Sequence, residues 1–199
     1  MYWEKPTCVL ARLPFPVRQI HPDNGSEFFN HHLLRFWREK VPGVSLSRSR
    51  PYHKNDNRFV EQKNDTLVRA YLSHERLDTV AQTLALNHLY DKMWVYYNLF
   101  QPVMRLTEKT VVQQEGQPTR VKRRYGPART PFDRLCATDV LLPQHHQQLQ
   151  ALRNRIDPRQ LRQEIHDLID FIFSLPNAVP GIIEDVHQTL VTPSETQGQ

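Results

Sequence analysis

Two carboxylates, Asp23 and Glu61, have the setting that metal-dependent chemistry needs. Asp23 stands just past a short strand candidate, residues 17–21, at the mouth of the turn Asp23-Asn24-Gly25-Ser26. Glu61 stands on the polar face of a helical stretch that begins near Asn57, beside Arg58, Gln62, Asp65 and Arg69. The interval between them reads as one helix and one strand, so a helix–strand unit can bring the two carboxylates side by side. Magnesium takes hard oxygen ligands, few from the protein, and keeps room for water and phosphate. Two such ions activate an attacking oxygen and stabilise a leaving one in phosphodiester chemistry. An ordinary reading stands beside this one: Asp before Asn-Gly commonly serves the turn, and a helix-surface glutamate is commonly solvated. A basic run, Arg120, Lys122, Arg123 and Arg124, followed by Tyr125 and later by Arg129, is suited to phosphate contacts. Such contacts are sequence-independent and salt-sensitive; the alternative is a solvated loop.

The elements that must position these residues follow from periodicity and punctuation. Residues 17–21 are bounded by Pro16 and Pro22, and Asn24-Gly25 tolerates the positive φ of a tight turn. Phe29, Leu33, Phe36 and Trp37 recur at helical spacing until Pro42-Gly43. Val44 and Leu46, alternating with serines, predict a second short strand. From Asn57, a stripe of Val60, Asn64, Leu67, Val68 and Tyr71 predicts a helix. A longer helix is expected over residues 80–100, with Val80, Leu84, Leu86, Leu89, Tyr90, Met93, Tyr97 and Phe100 as its apolar stripe and Pro102 as its stop. Residues 107–129 read as a loop or a loose hairpin. Thr130-Pro131 is a helix start, cap followed by first-turn proline. Residues 144–155 form a glutamine-rich helix candidate. Asp157-Pro158 opens another helix, striped by Leu161, Ile165, Leu168, Ile169, Ile172 and Leu175.

Four segments resemble a known family. His21-Pro22-Asp23-Asn24-Gly25-Ser26-Glu27-Phe28 resembles the second-aspartate motif of retroviral-type integrases and the bacterial insertion-sequence transposases related to them. Ser49-Arg50-Pro51-Tyr52, Asn55-Asp56-Asn57 and Val60-Glu61-Gln62-Lys63-Asn64 resemble the block that carries that family's catalytic glutamate. Tyr97-Asn98-Leu99-Phe100-Gln101-Pro102 with Leu106 resembles the segment after the core, and Ala128-Arg129-Thr130-Pro131-Phe132-Asp133-Arg134-Leu135 the later Thr-Pro motif. The resemblance implies an α+β fold: a partial RNase H-like catalytic core followed by a mainly helical C-terminal region. It implies cutting and joining of DNA strands in integration, with Mg2+ or Mn2+ held by three carboxylates. Asp23 matches the second of them and Glu61 the third, and Lys63 and Asn64 are placed to touch the DNA backbone. On this basis residues 1–76 are expected to be the C-terminal part of a catalytic core, 77–142 a post-core helix and basic segment, 143–192 a helical region, and 193–199 a disordered tail. Residues 70–76 depart from the family's pattern, which puts the local helix ends in question.

The family's first aspartate has no counterpart among residues 1–22, where Glu4 is the one acid. The expectation is an N-terminally truncated transposase, inactive in strand transfer alone. Its partner is DNA, with self-association or a full-length transposase as further partners. A non-catalytic DNA-binding or assembly module is the alternative, and a silent remnant a third. Composition agrees with a nucleic-acid partner without requiring one: 26 Lys and Arg against 21 Asp and Glu give +5 and a pI near 9.4, a mild basic excess. With 39% hydrophobic residues in 199, a real core is affordable. No apolar run approaches a membrane span, and no signal-peptide pattern opens the sequence. Cys8 and Cys136 are far apart and lack a CxxC, so a reducing, bacterial-type cytoplasm is expected, with association to the nucleoid through DNA. No His-His-Cys-Cys zinc set is present. The histidines read as surface residues, His53 near Glu61 being the one of interest. Trp94, Tyr96, Tyr97 and Phe100 read as core packing or a dimer face.

Overall fold

A computed structural model describes residues 12–22, 31–41, 43–48, 64–112 and 120–185. The chain mixes α and β and forms two compact units, one from residues 1–85 and 171–199, the other from residues 86–170. Among the described residues the sheets are small, two strands each.

In the first unit, β1 (Gln19–Ile20) pairs in parallel with β2 (Ser45–Leu46), Gln19 opposite Ser45 and Ile20 opposite Leu46. Parallel neighbours need a crossover, and α1 (His31–Lys40) lies between them in the chain. The α1 helix buries Phe36 and Trp37, two members of the expected apolar stripe. Its outer face carries the Arg35–Glu39 pair at 2.9 Å, one turn apart and exposed. Just past the helix Gly43 takes φ +88°, the left-handed conformation that ends helices and that glycine adopts without a Cβ clash.

The stretch expected to be a regular helix up to Tyr71 is instead π-helical over Asn64–Arg69 before it closes as α2 (Ala70–Leu72). The wider turn shifts the inward position by one: Leu72 is buried, while Leu67, Val68 and Tyr71 are half-buried. A period read as 3.6 residues cannot register such an insertion.

Helix α3 (Val80–Leu99) starts on a reciprocal cap. Thr79 Oγ1 accepts the Gln82 amide at 3.1 Å, and Gln82 Oε1 accepts the Asp78 and Thr79 amides at 2.9 and 3.2 Å. This is the Thr-x-x-Gln form of the capping box. Gln82 Nε2 donates to Asn177 Oδ1 at 3.2 Å, and Glu184 Oε2 accepts the Val80 amide at 2.9 Å. Asp78 Oδ1 accepts the Ala178 amide at 3.0 Å. Gln82 is 2% exposed, a buried amide kept in place because both ends are hydrogen-bonded. Replacing it by alanine leaves the Asp78 and Thr79 amides without their acceptor, so Gln82→Ala is expected to lower stability by about 1–3 kcal/mol. A denaturant midpoint unchanged in that variant would contradict the network.

The second unit takes the rest of α3 and then the ribbon β3 (Leu106–Val112) and β4 (Arg120–Tyr125). Helices α4 (Pro131–Cys136), α5 (Pro143–Arg155) and α6 (Pro158–Ser174) follow; the last runs on into the first unit. Thr130 caps α4, and Asp157 Oδ1 accepts the Arg159 amide at 2.8 Å at the start of α6, as cap-then-proline order leads one to expect. Leu161, Ile165, Ile169 and Ile172 form the buried line of α6. Along α3 the buried line is Ala85, Leu89, Met93 and Leu99, whereas Leu84 and Tyr90 are exposed. Nearly every turn of α3 offers an apolar residue, so spacing alone does not choose its inward face. Trp94, Tyr96, Tyr97 and Phe100 are half-buried rather than core. No described helix is long and apolar enough to cross a membrane.

Candidate nucleic-acid interface

Asp23, Glu61 and Lys63 lie outside the described residues, as does the 193–199 tail, and Asn64 is described in backbone only, as the first residue of the π-helical stretch. The approach to Asp23 is described. Beyond β1, His21 Nδ1 and Ser47 Oγ are 2.7 Å apart. Ser47 N donates to Ile20 O at 3.0 Å and Ser45 N to Arg18 O at 2.9 Å. The strand that leads into His21-Pro22-Asp23 is thus bonded to β2 up to its last residue. Among the described residues no three metal-ligating side chains come together.

The basic run lies entirely on β4. Antiparallel pairing sets Arg120 opposite Val112, Lys122 opposite Thr110, and Arg124 opposite Glu108; on the alternate rungs Val121 faces Val111, Arg123 faces Lys109 and Tyr125 faces Leu106. A bulge between Leu106 and Glu108 adjusts the register. Successive side chains of a strand point to opposite faces and directly paired residues share one. Arg120, Lys122 and Arg124 therefore share a face with Thr110 and Glu108. Lys109 and Arg123 share the other with Leu106, Val111, Val121 and Tyr125. The strands hold five cations and one acid, a net +4 of the chain's +5. Every residue but Val112 is exposed. Lys109 went unnoticed in the sequence because it is isolated there; only pairing brings it to Arg123.

An isolated two-stranded hairpin is marginal in water, and Lys109 opposite Arg123 is a destabilising like-charge pair. The ribbon's base supplies the hold. Val103 and Arg129 form an antiparallel bridge, Gly126 N donates to Arg105 O at 2.9 Å, and Thr107 Oγ1 donates to Arg124 O at 3.0 Å. Arg134, on α4, donates from Nη2 to the carbonyls of Val103 and Pro127. Gly126 sits where an added Cβ would lie 3.1 Å from Thr107 Cγ2.

The Thr130 segment forms the anchor behind this base. Thr130 Oγ1 accepts the Asp133 amide at 3.0 Å and Asp133 Oδ2 accepts the Thr130 amide at 3.2 Å, a complete capping box. Arg153 of α5 donates from Nη1 to Asp133 Oδ1 at 2.8 Å and holds its guanidinium carbon 5.4 Å from the Phe132 ring centroid. His146 stacks on the same ring at 6.1 Å. The motif's residue types are accounted for by packing and capping.

Burial pushes the Asp133 carboxyl up, but hydrogen bonds from Thr130 and Arg153 outweigh it and hold the group below the ordinary carboxylate range. Glu164 is held low chiefly by Lys92, whose Nζ lies 2.6 Å from Oε2, against a smaller opposing effect of burial. Burial chiefly raises the Cys136 thiol, so it is no activated nucleophile. A carboxylate depressed in the folded state contributes stability that is full above its unfolded value, roughly pH 4, and is lost as pH falls through the folded value. The contribution of these two carboxylates should be constant from pH 7 to 5 and fall as pH drops below about 4. That acid loss should shrink in Asp133→Asn. Matching pH slopes for variant and parent in denaturant unfolding would rule out the linkage.

No protein-family model matches the chain, and no solved structure matches it. The uncharacterized protein y4rM of Sinorhizobium fredii is 40% identical over 121 residues, 61% of this chain and 33% of that protein. The chain therefore spans about a third of the length of this relative.

Proposed function

We propose that the chain is a DNA-binding segment of a transposase of the retroviral-integrase-like class, acting in DNA integration, with residues up to about 76 belonging to an RNase H-like core. The observation that carries the reading is the order of four motifs along one chain, from His21-Pro22-Asp23 to Thr130-Pro131. In this reading Asp23 and Glu61 are the second and third ligands of a magnesium or manganese pair, and Lys63 and Asn64 run along the DNA backbone. The parallel β1–β2 pair supports it, since one carboxylate follows β1 and the other follows β2. So does the π-helical turn just after Glu61, a feature frequent at functional sites. The ribbon's charge supports DNA as partner, reached in a bacterial-type cytoplasm at the nucleoid. Self-association, or assembly with a full-length transposase, belongs to the same reading.

The sequence holds two of the three carboxylates, and a metal pair needs several carboxylate oxygens, so the 199-residue chain is expected not to cut DNA alone. The alternative reading is a non-catalytic DNA-binding or assembly module. Plasmid binding and nicking by the purified chain, with and without Mg2+, test these statements. Salt-sensitive binding without nicking is the expected result. Absence of binding at low salt would remove the DNA-binding reading, and Mg2+-dependent nicking abolished by Glu61→Gln would remove the statement of inactivity. A Mn2+ titration separates the two readings: binding lost in Glu61→Gln supports the catalytic lineage, and no Glu61-dependent binding supports the module.

A further inference from the structure

The β3–β4 ribbon has a shape and a charge distribution that go beyond a general attraction for phosphate. We infer that it docks in the major groove of B-form duplex DNA through the face that carries Arg120, Lys122 and Arg124. This deepens the DNA-binding reading above and rests on it.

Two observations carry the inference. The ribbon is two strands wide and exposed on both faces, and B-DNA's major groove, about 12 Å across, admits a two-stranded ribbon. The two faces differ in chemistry. On one, every β4 side chain is a cation, joined by Thr110 and Glu108 from β3, so all but Val112 can hydrogen-bond. On the other, Lys109 and Arg123 share a single rung between the Val111–Val121 and Leu106–Tyr125 rungs. Arg and Lys reach guanine O6 and N7, threonine contacts several base edges, and glutamate accepts from the cytosine amino group. The first face holds these donors and acceptor side by side. Alternate strand residues stand about 7 Å apart, about two base-pair rises of 3.4 Å, so three cations in alternation follow successive pairs of base steps.

Single strands call for a series of aromatic stacking platforms, whereas Tyr125 is the one aromatic residue of the ribbon. The deep, narrow major groove of A-form RNA does not admit side chains.

The test sets two charge-matched double variants of the full chain against each other, Lys122→Ala with Arg124→Ala and Lys109→Ala with Arg123→Ala. Binding is measured by fluorescence anisotropy on a B-form DNA duplex, the same sequence as double-stranded RNA, and one DNA strand alone. The first variant is expected to weaken duplex binding roughly 10- to 100-fold more than the second, and the parent to prefer the DNA duplex to both other probes. Equal losses in the two variants, or equal affinity for single-stranded DNA or duplex RNA, overturn groove docking while leaving DNA binding in place. A parent chain that binds no probe at low salt overturns both readings together.

Discussion

Phe132→Ala is expected to lower the unfolding free energy of the 86–170 unit by about 3–5 kcal/mol. The ring is 4% exposed, stacked with His146 and capped by the Arg153 guanidinium. Alanine removes the buried surface and leaves a cavity, and it deprives a cation and an imidazole of their apolar partner. Its neighbours form a hydrogen-bonded frame, Thr130 with Asp133 and Asp133 with Arg153, which resists collapse into the space. Against a typical domain stability of about 5–15 kcal/mol, the loss is about a fifth or more of the whole. Thr130→Ala, which removes the cap but keeps the ring, should cost about 0.5–2 kcal/mol. Trp94, the one tryptophan within residues 86–170, reports the unit's unfolding in denaturant. A Phe132→Ala loss no larger than that of Thr130→Ala would mean that the cap, not the ring, is the anchor.

Replacing Arg120, Lys122, Arg123 and Arg124 together by alanine leaves Lys109 against Glu108 and a ribbon of zero net charge. If Arg120, Lys122 and Arg124, the three cations of the docking face, each lie at a phosphate, duplex affinity of the parent should fall about 40-fold between 50 and 200 mM salt from these contacts alone. The quadruple variant should bind more weakly at 50 mM and show a salt slope smaller by about 3. Fold stability should change little, because all four side chains are exposed, and removal of Arg123 relieves the repulsion with Lys109. Parallel salt plots for parent and variant would locate the DNA contacts elsewhere on the chain. Far-UV circular dichroism separates that outcome from loss of the ribbon itself.

Much of the helical punctuation was legible in the sequence. Thr130-Pro131, Asp157-Pro158 and Pro42-Gly43 mark boundaries that the structure shares to within a residue or two, because a cap closes over three or four residues and needs no distant partner. The same signal was present and unread at Thr79-x-x-Gln82, where a capping box was hidden inside an expected apolar run. Residues 107–129 read equally as loop or hairpin. Their strands carry cations on both faces and leave all their apolar residues but Val112 exposed, and hydrophobic patterning is silent on an element with no buried face. The π-helical turn before Ala70 was not legible either, since an inserted residue leaves composition unchanged and alters only the period.

By itself, then, the sequence determined the cap-started helices, the concentration of positive charge at Arg120 to Arg124, and the motif order on which the proposed function rests. Each of these resides in residue types at short separations. Only the tertiary structure decided that Ala85 rather than Leu84 faces inward, that Gln82 is buried between Thr79 and Asn177, and that Lys109 stands across from Arg123. These depend on which of several apolar or polar surfaces finds a partner far along the chain, and local propensity carries no information about that partner.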